Sequence, residues 1–354
     1  MSALIYWIWL SSLEGLTPLE KTRLVRQTGS AKALFSAPLA YLGLDEKKRN
    51  YLETHRQLDQ AEAFLDYAGE HGISCVCPED AAYPESIREL ADAPPVLYVK
   101  GRLPREDEMI IAVVGARKCT PYGYQTAAMF SRSLAVSGVG IISGMARGID
   151  SSALWGAAEA GGAAFAVLGC GVDICYPRDN MELYAQMPEA GGIISEFPPG
   201  TQPLAWHFPM RNRLISALSR GVLVIEGRRR SGSLITARQG LDQGRNIYAV
   251  PGRIDDPLSE GCNLLIQEGA RLVMKPEDLL EEYGLQVRVS KKTDFVLDNF
   301  EKVVYASLCL IPRTPDEVAD LCRLPIRKVL PALTTLELKG AAVRLGKNQY
   351  ILKV

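Results

Sequence analysis

Apolar residues in the middle of the chain fall into short continuous runs that alternate with helical patterns. Each run is followed by a turn and then by a segment of helical periodicity. Such runs are typical of strands buried on both faces, and their alternation with helices predicts an α/β fold with a Rossmann-like parallel-sheet core. The runs lie at 109–115, 138–144, 163–169, 191–196, 221–227, 246–252 and, as a candidate last strand, 271–275.

The segment before this core has the pattern of short helices joined by glycine turns. Thr17 and Glu20 have the spacing of a capping box, with Pro18 at the first helical position. Residues 1–68 are therefore predicted to form a helical module that resembles a SAM-like or helix-hairpin-helix domain. The apolar start of the chain lacks a basic n-region, so we interpret it as a buried first helix and not as a secretion signal.

The segment after the core is predicted to form a separate folded module. We place the core at 69–285 and predict a polar, weakly patterned linker at 286–298. Residues 299–354 are predicted to form three short helices and a terminal hairpin, which resembles a winged helix. Arg327 and Lys328 open the third helix, and Pro331 is expected to bend it or delay its start. Contact with DNA and contact with a protein are equally open for this module.

Composition narrows the class of protein. Of the 354 residues 47% are hydrophobic and 23% are charged, which is ordinary for a globular protein. No run reaches the ~20 apolar residues of a membrane helix, so we expect no membrane contact. The eight cysteines include no CxxC pair and the three histidines are far apart in sequence. We therefore expect no metal site, no cofactor, and free thiols in a reducing cytoplasm.

Positive charge is concentrated in one stretch of a chain whose formal net charge is −1. Residues 205–253 contain nine arginines and no lysine, against Glu226 and Asp242, so the local charge is +7. Within it, the turn at 231–236 lies between a strand and a helix, where free backbone N–H groups suit an anion. Arginine adds bidentate phosphate donors, so the stretch predicts phosphate binding. The alternative is that some of these arginines pair with carboxylates or cover a solvated face.

The ends of the predicted strands carry small and basic residues, at the edge where parallel α/β sheets bind ligands. Gly115 to Arg117 follow the first run, and Ser143 and Gly144 end the second. His207 has no Ser, Cys or Asp at a spacing typical of a catalytic triad, so we interpret it as a hydrogen-bonding residue. Four aromatic residues near this edge are candidates for stacking on bases, although each is more often a packing residue: Tyr122, Tyr176, Trp206 and Phe208.

Eight motifs follow one another along the chain: VGAR (114–117), SGMARGID (143–150), VLGCGVD (167–173), YPRDN (176–180), ISE (194–196), FPMRNR (208–213), RSGSLITA (230–237) and AVPG (249–252). This ordered set resembles the DNA-processing protein A family (DprA, also called Smf). The resemblance implies a bacterial, cytoplasmic recombination mediator that binds single-stranded DNA and forms a homodimer. It further implies a protein that helps to load RecA recombinase onto strands coated by single-strand-binding protein, in natural transformation or recombinational repair, with no enzymatic activity and no catalytic residue.

With this resemblance, a strand of DNA is expected to lie across the carboxyl edge of the sheet. Its phosphates are expected to meet arginine side chains and the backbone donors of the serine and glycine turns. Arg211 and Arg213 have a competing structural interpretation, in which they pair with Asp150 or Glu196 and hold the loops. The full set of expected DNA contacts is Gly115, Ala116, Arg117, Thr120, Ser143, Gly144, Arg147, Arg178, Arg211, Asn212, Arg213, Ser231, Gly232, Ser233 and Thr236.

The alternative function is an enzyme on the same fold. Nucleotide phosphoribohydrolases of the lysine-decarboxylase-like (LOG) family use a PGGxGT turn near the position of 231–236, where this chain has SGSLIT. A nicotinamide-dependent oxidoreductase ranks third, because the first strand lacks GxGxxG and Arg117 would meet the pyrophosphate. Release of free base from nucleoside monophosphates would separate the enzyme from the DNA-binding protein.

Overall fold

The structure, a computed structural model, describes residues 3–288 and 296–353. The chain begins with short helices that bury one face each. Thr17 and Glu20 cap each other's backbone N–H groups, which confirms the predicted capping box. The first helix buries both of its tryptophans, Trp7 and Trp9, which confirms the buried first helix. These helices are α1 (Leu4–Ser12), α2 (Pro18–Thr28), α3 (Ala31–Ser36), α4 (Glu46–Thr54) and α5 (Asp59–Glu70).

The central element is a sheet to which residues 3–288 contribute nine strands. Its middle strands are continuous apolar runs whose residues are all buried, as expected for strands covered on both faces. The strands are β1 (Ser74–Val76), β2 (Leu97–Gly101), β3 (Ile110–Val114), β4 (Gly140–Ser143), β5 (Ala164–Val167), β6 (Gly191–Ser195), β7 (Gly221–Val224), β8 (Asn246–Ala249) and β9 (Arg271–Leu272).

The order of the strands gives the sheet a switch point. The order is β1-β2-β6-β5-β4-β3-β7-β8-β9. All pairs from β6 to β9 are parallel, whereas β1 and β2 add an antiparallel edge. The chain builds outward from β3 to β6 and then returns to place β7 on the other side of β3. A crevice therefore opens beyond the carboxyl ends of β3 and β7, where such sheets bind ligands. The predicted Rossmann-like core is confirmed.

Helices cover both faces of the sheet. Most follow a parallel strand, as right-handed crossovers require. The last strand is shorter than the predicted 271–275, because the N–H groups of Met274 and Lys275 both donate to Asp278, 2.8 and 3.1 Å away, and so begin the next helix. The helices are α6 (Glu85–Arg88), α7 (Pro121–Val136), α8 (Ile149–Glu159), α9 (Met181–Ala190), α10 (His207–Ala217), α11 (Gly232–Asp242), α12 (Glu260–Gln267) and α13 (Glu277–Glu282).

The amino-terminal helices share an apolar core with the sheet. Trp9, Leu10 and Leu24 belong to the same buried cluster as Tyr98 of β2 and Ile111 of β3. Helices α1–α5 are therefore packed onto the α/β core. The boundary that we placed at residue 68 stays a prediction.

The last described segment has a core of its own. It contains α14 (Asn299–Ser307), α15 (Pro315–Cys322), α16 (Ile326–Leu338) and the hairpin β10 (Ala342–Leu345) and β11 (Gln349–Leu352). Its buried cluster joins the three helices to the hairpin, for example through Val304, Leu333 and Tyr350. Helix α16 begins at Ile326, as predicted, with Pro331 inside it. Its start is therefore not delayed, and the alternative, a bend at Pro331, stays a prediction. Most of the predicted linker, residues 289–295, lies outside the described residues.

No helix in the described ranges combines the length and the apolar character needed to cross a membrane.

Candidate nucleic-acid interface

A cavity of about 620 Å³ opens at the switch point of the sheet. Its walls come from the turn after β3, the turn before α11 and one face of α10. Nine of the expected DNA contacts line this cavity: Gly115, Ala116, Arg117, Arg211, Asn212, Ser231, Gly232, Ser233 and Thr236.

The amino terminus of α11 faces the cavity without a side-chain cap. Ser231 is at the N-cap position, but its hydroxyl hydrogen-bonds to the hydroxyl of Ser233, 2.5 Å away, and makes no capping bond. Gly232 is exposed, and a Cβ atom built there would meet nothing within 4 Å. The first N–H groups of an α-helix have no partner within the helix and carry partial positive charge. This terminus is therefore open to an anion, as the turn at 231–236 predicted.

The hydroxyl of Thr120 caps the amino terminus of α7 by accepting from the N–H of Gly123 over 3.0 Å, and the carboxylate of Glu226 lies beside this cap. Glu226 follows β7 and is 4% exposed. The backbone N–H of Thr120 donates to it over 2.8 Å and the hydroxyl of Thr120 over 2.5 Å, at the start of α7. Burial raises the pKa of Glu226, whereas these hydrogen bonds oppose the rise. Thr120 therefore binds Glu226 and does not line the cavity, and its expected contact with DNA stays a prediction.

Arg211 forms the floor of the cavity. It is 3% exposed, and its Nη1 donates to the carbonyl of Gly144, 2.8 Å away, and to that of Val167. Burial lowers the pKa of Arg211 to about 10, and the buried carboxylate of Asp150 opposes this shift. The guanidinium therefore ties the ends of β4 and β5 to α10 and places positive charge under the cavity.

Arg213 points away from the cavity into a buried ion pair. Its Nη2 lies 2.7 Å from Oε2 of Glu196, and its Nε lies 2.8 Å from Oδ2 of Asp92. Burial raises the pKa of Glu196, and the charge of Arg213 opposes this rise. The pairing with Glu196 that the sequence left open is confirmed. The guanidinium thereby joins α10 to the loop before β2.

The other expected contacts lie outside the cavity. The hydroxyl of Ser143 donates to the carbonyl of Val113 over 2.6 Å, inside the sheet. A Cβ at Gly144 would lie 2.5 Å from the guanidinium of Arg211, so this position needs glycine. Arg147 pairs with Asp179 at 2.6 Å. Arg178 is exposed on the neighbouring 3₁₀ turn. Their contacts with phosphates stay predictions.

Three further basic residues at the cavity were not among the expected DNA contacts. Lys118, Arg228 and Arg230 line the cavity and are exposed. Arg228 and Arg230 belong to the arginine-rich stretch 205–253, for which the sequence predicts phosphate binding, whereas no sequence pattern singled out Lys118.

Two aromatic side chains, Tyr176 and Phe208, line the mouth of the cavity. The ring centroids of Tyr176 and Phe208 are 5.5 Å apart, and the guanidinium of Arg117 lies 5.1 Å from the centroid of Phe208. Tyr176 is 40% exposed, so part of its side chain is accessible, and aromatic rings at such sites can stack on bases.

Gly148 fixes the loop between β4 and α8 at this edge. Its φ is +80°, and a Cβ there would lie 2.4 Å from the carbonyl oxygen of Ala116. Gly148→Ala is expected to destabilise the protein by about 2–4 kcal/mol, because backbone strain and overpacking add. Urea unfolding checks this, with Gly232→Ala as the control, since that position has open space. Equal stability of the two variants would contradict the expectation.

Within the described residues, no group of three or more His, Cys, Asp or Glu side chains is arranged to hold a metal ion.

Two family models match the sequence. The model described as DNA recombination-mediator protein A matches residues 74–284, and the DprA winged helix domain matches residues 293–347. Protein Smf of Escherichia coli is 36% identical over 347 residues, which cover 94% of this chain and 92% of that protein. The DNA processing protein DprA of Streptococcus pneumoniae is 40% identical over 233 residues, covering 66% of this chain and 81% of that protein.

Solved structures match the fold as well. The X-ray structure of DprA from Streptococcus pneumoniae has a TM-score of 0.68 at 34% identity and covers 80% of this chain and 98% of that one. DNA processing protein A from Helicobacter pylori, reported for its single-stranded DNA binding mode, has a TM-score of 0.54 at 28% identity, covering 60% and 95%. The chain therefore belongs to the DNA recombination-mediator protein A family, also called DprA or Smf.

Proposed function

We propose that this protein binds single-stranded DNA across the cavity at the switch point of its sheet and acts as a recombination mediator. The observation that carries this proposal is the open amino terminus of α11 within a ring of exposed basic residues, Arg117, Lys118, Arg228 and Arg230. The Helicobacter pylori relative, whose structure was reported for single-stranded DNA binding, supports it.

The strand is held by its phosphates in this proposal. One phosphate accepts from the backbone N–H groups at Gly232 and Ser233, and its neighbours meet Arg117 and Arg230. A base stacks on Tyr176, which Phe208 supports from behind. Gly115 and Ala116 let the backbone approach closely. Arg178 and Arg147 extend the contact along the rim, while Arg211 acts from the floor through its charge. These contacts read no base edge, so binding is insensitive to sequence.

Salt dependence tests this mode of binding. The affinity for a poly-dT oligonucleotide and for one of mixed sequence is expected to fall alike as salt rises, because cations released from the phosphates drive binding. Three to five phosphate contacts predict a slope of about −2 to −3.5 in log K against log salt for single strands. Fluorescence anisotropy at several salt concentrations measures both slopes. An affinity that does not change with salt would contradict the proposal.

The winged helix supplies a matched control. Charge reversal at Arg327 and Lys328 of α16 is expected to leave the affinity for single strands nearly unchanged. The side chain of Lys328 already lies 4.4 Å from the ring centroid of Phe300 on α14, so it is turned toward its own module. If this reversal abolished binding, the DNA site would belong to the winged helix and not to the sheet.

The role in recombination also involves partners. We propose that the protein forms a homodimer through the later edge of the sheet, where the apolar segment 261–266 lies, and that it loads RecA onto strands coated by single-strand-binding protein. Light scattering that shows a monomer at micromolar concentration would contradict the dimer. Failure to speed the nucleation of RecA on coated strands would contradict loading. Release of free base from nucleoside monophosphates would instead favour the hydrolase.

A further inference from the structure

A second cavity, of about 140 Å³, lies where α1 and α2 meet the loops on either side of α6. It shares no lining residue with the cavity at the switch point. Its walls are mainly apolar, from Leu10, Val25, Pro78 and Pro95. At about 30 Å³ for each water molecule it has room for roughly five waters, which is the scale of one apolar side chain.

A buried cation lines this cavity. Lys21 is 8% exposed, and its Nζ donates to the carbonyl of Ser11, 2.8 Å away. The carboxylates of Glu196 and Glu14 favour the charged form of this ammonium electrostatically, but neither of them accepts a hydrogen bond from it. Burial lowers the pKa of Lys21 to about 8, so it carries its charge at neutral pH. An ammonium has three donors, and within the described residues only one of them has a hydrogen-bond acceptor, the carbonyl of Ser11. A buried charge that lacks a hydrogen-bonded carboxylate is costly. The site therefore favours an entering carboxylate.

Two further features favour the same ligand. Trp7 is 5% exposed, and its indole N–H has no hydrogen-bond partner within the described part of the chain. Arg26 lines the rim and is exposed, so it adds positive charge at the entrance. Arg88 also lines the rim, but it is paired with Glu85 at 2.6 Å. The cavity thus combines apolar walls with the positive charges of Lys21 and Arg26, beside a tryptophan whose N–H has no partner.

We propose that this cavity binds the carboxyl-terminal residue of a partner protein, with an apolar side chain between the walls and its α-carboxylate on Lys21. Capture of a terminal carboxylate beside an apolar pocket is a recurring mode of peptide recognition. The fit follows from the size of the cavity, which admits one side chain, and from the charge at its base.

A labelled peptide tests the site on the intact protein. The probe carries fluorescein at its amino terminus and ends in Gly-Ser-Leu with a free carboxylate; the matched probe is its carboxyl-terminal amide. Fluorescence anisotropy at pH 7 is expected to show at least about tenfold tighter binding of the free acid. This preference is expected to shrink as the pH rises from 7 to 9, because Lys21 loses its proton. Equal binding of the two probes, or no saturable binding up to millimolar protein, would overturn the proposal.

Variants locate the contact. Lys21→Met, which keeps the length of the side chain and removes its charge, is expected to abolish the preference for the free acid. Arg26→Glu changes an exposed residue at the rim and is expected to weaken binding of the free-acid peptide. Arg23→Glu, on the same helix but outside the cavity, is the control and is expected to leave this binding unchanged. Binding of single-stranded DNA by Lys21→Met is expected to be unchanged, which separates this site from the DNA site. A peptide preference that survives both Lys21→Met and Arg26→Glu would refute the assignment.

Discussion

Replacing both Arg117 and Arg230 with alanine is expected to weaken binding of single-stranded DNA by about 30- to 1,000-fold. Each guanidinium stands at the mouth of the cavity in an exposed position, where a charge-assisted hydrogen bond to phosphate contributes about 1–2 kcal/mol. The loss should be equal for poly-dT and mixed sequences, because phosphates are the same in both. The slope against salt should become shallower by up to about 0.7 for each phosphate that no longer meets an arginine.

The control for this experiment is Arg23→Ala, an exposed arginine on α2 that does not line the cavity. Because all of these side chains are exposed, unfolding midpoints of the variants are expected to match the parent. If the double variant bound DNA with the affinity and the salt slope of the parent protein, the strand would not cross this edge of the sheet. This result would contradict the proposed location of the DNA site.

Glu196→Ala is expected to cost about 3–5 kcal/mol of the free energy of unfolding. The change leaves the guanidinium of Arg213, whose side chain is 7% exposed, without its buried partner, and an uncompensated buried charge is among the most destabilising defects known. Asp92 cannot compensate fully, since its side chain is 36% exposed and shares its charge with water. Urea unfolding followed by circular dichroism measures the change, with Glu189→Ala on the exposed face of α9 as the control.

A paired replacement separates charge from shape in this network. Glu196→Leu together with Arg213→Met removes both charges and keeps the volume, so it is expected to recover most of the lost stability. A double variant as unstable as Glu196→Ala would mean that the hydrogen bonds of this pair hold the loop and α10 together in a way that packing cannot replace. Both results concern stability and leave the assignment of the DNA site untouched.

The sheet was predictable because its signal is local. A strand buried on both faces must be apolar along its whole length, so β3, β4, β5 and β7 stand out as runs in the sequence. Glycine and serine at the ends of these runs mark the edge where the cavity lies. The open terminus of α11 was equally local, since its strand, turn and helix are consecutive.

The sequence could not decide the partners of the buried charges, because these partners are distant in sequence. Thr120 meets Glu226 across 106 positions, and Arg211 meets the carbonyl of Gly144 across 67. From the sequence, Arg211 and Arg213 are two residues apart and look alike. On α10 they point in different directions, and only the fold decides that one lies under the cavity and the other in an ion pair. Arginines at 228–230 are exposed because their loop precedes α11 at the mouth.

The carboxylate of Glu226 beside the amino terminus of α7 has a consequence for the binding of free nucleotides. In nucleotide-binding proteins of this architecture, the helix that follows the first parallel strand receives a phosphate at its amino terminus. Here the carboxylate of Glu226 lies beside that terminus, where its negative charge repels the phosphate of a mononucleotide or dinucleotide. We therefore expect free nucleotides to find no phosphate site at α7, which leaves the open amino terminus of α11 as the place where a phosphate can bind.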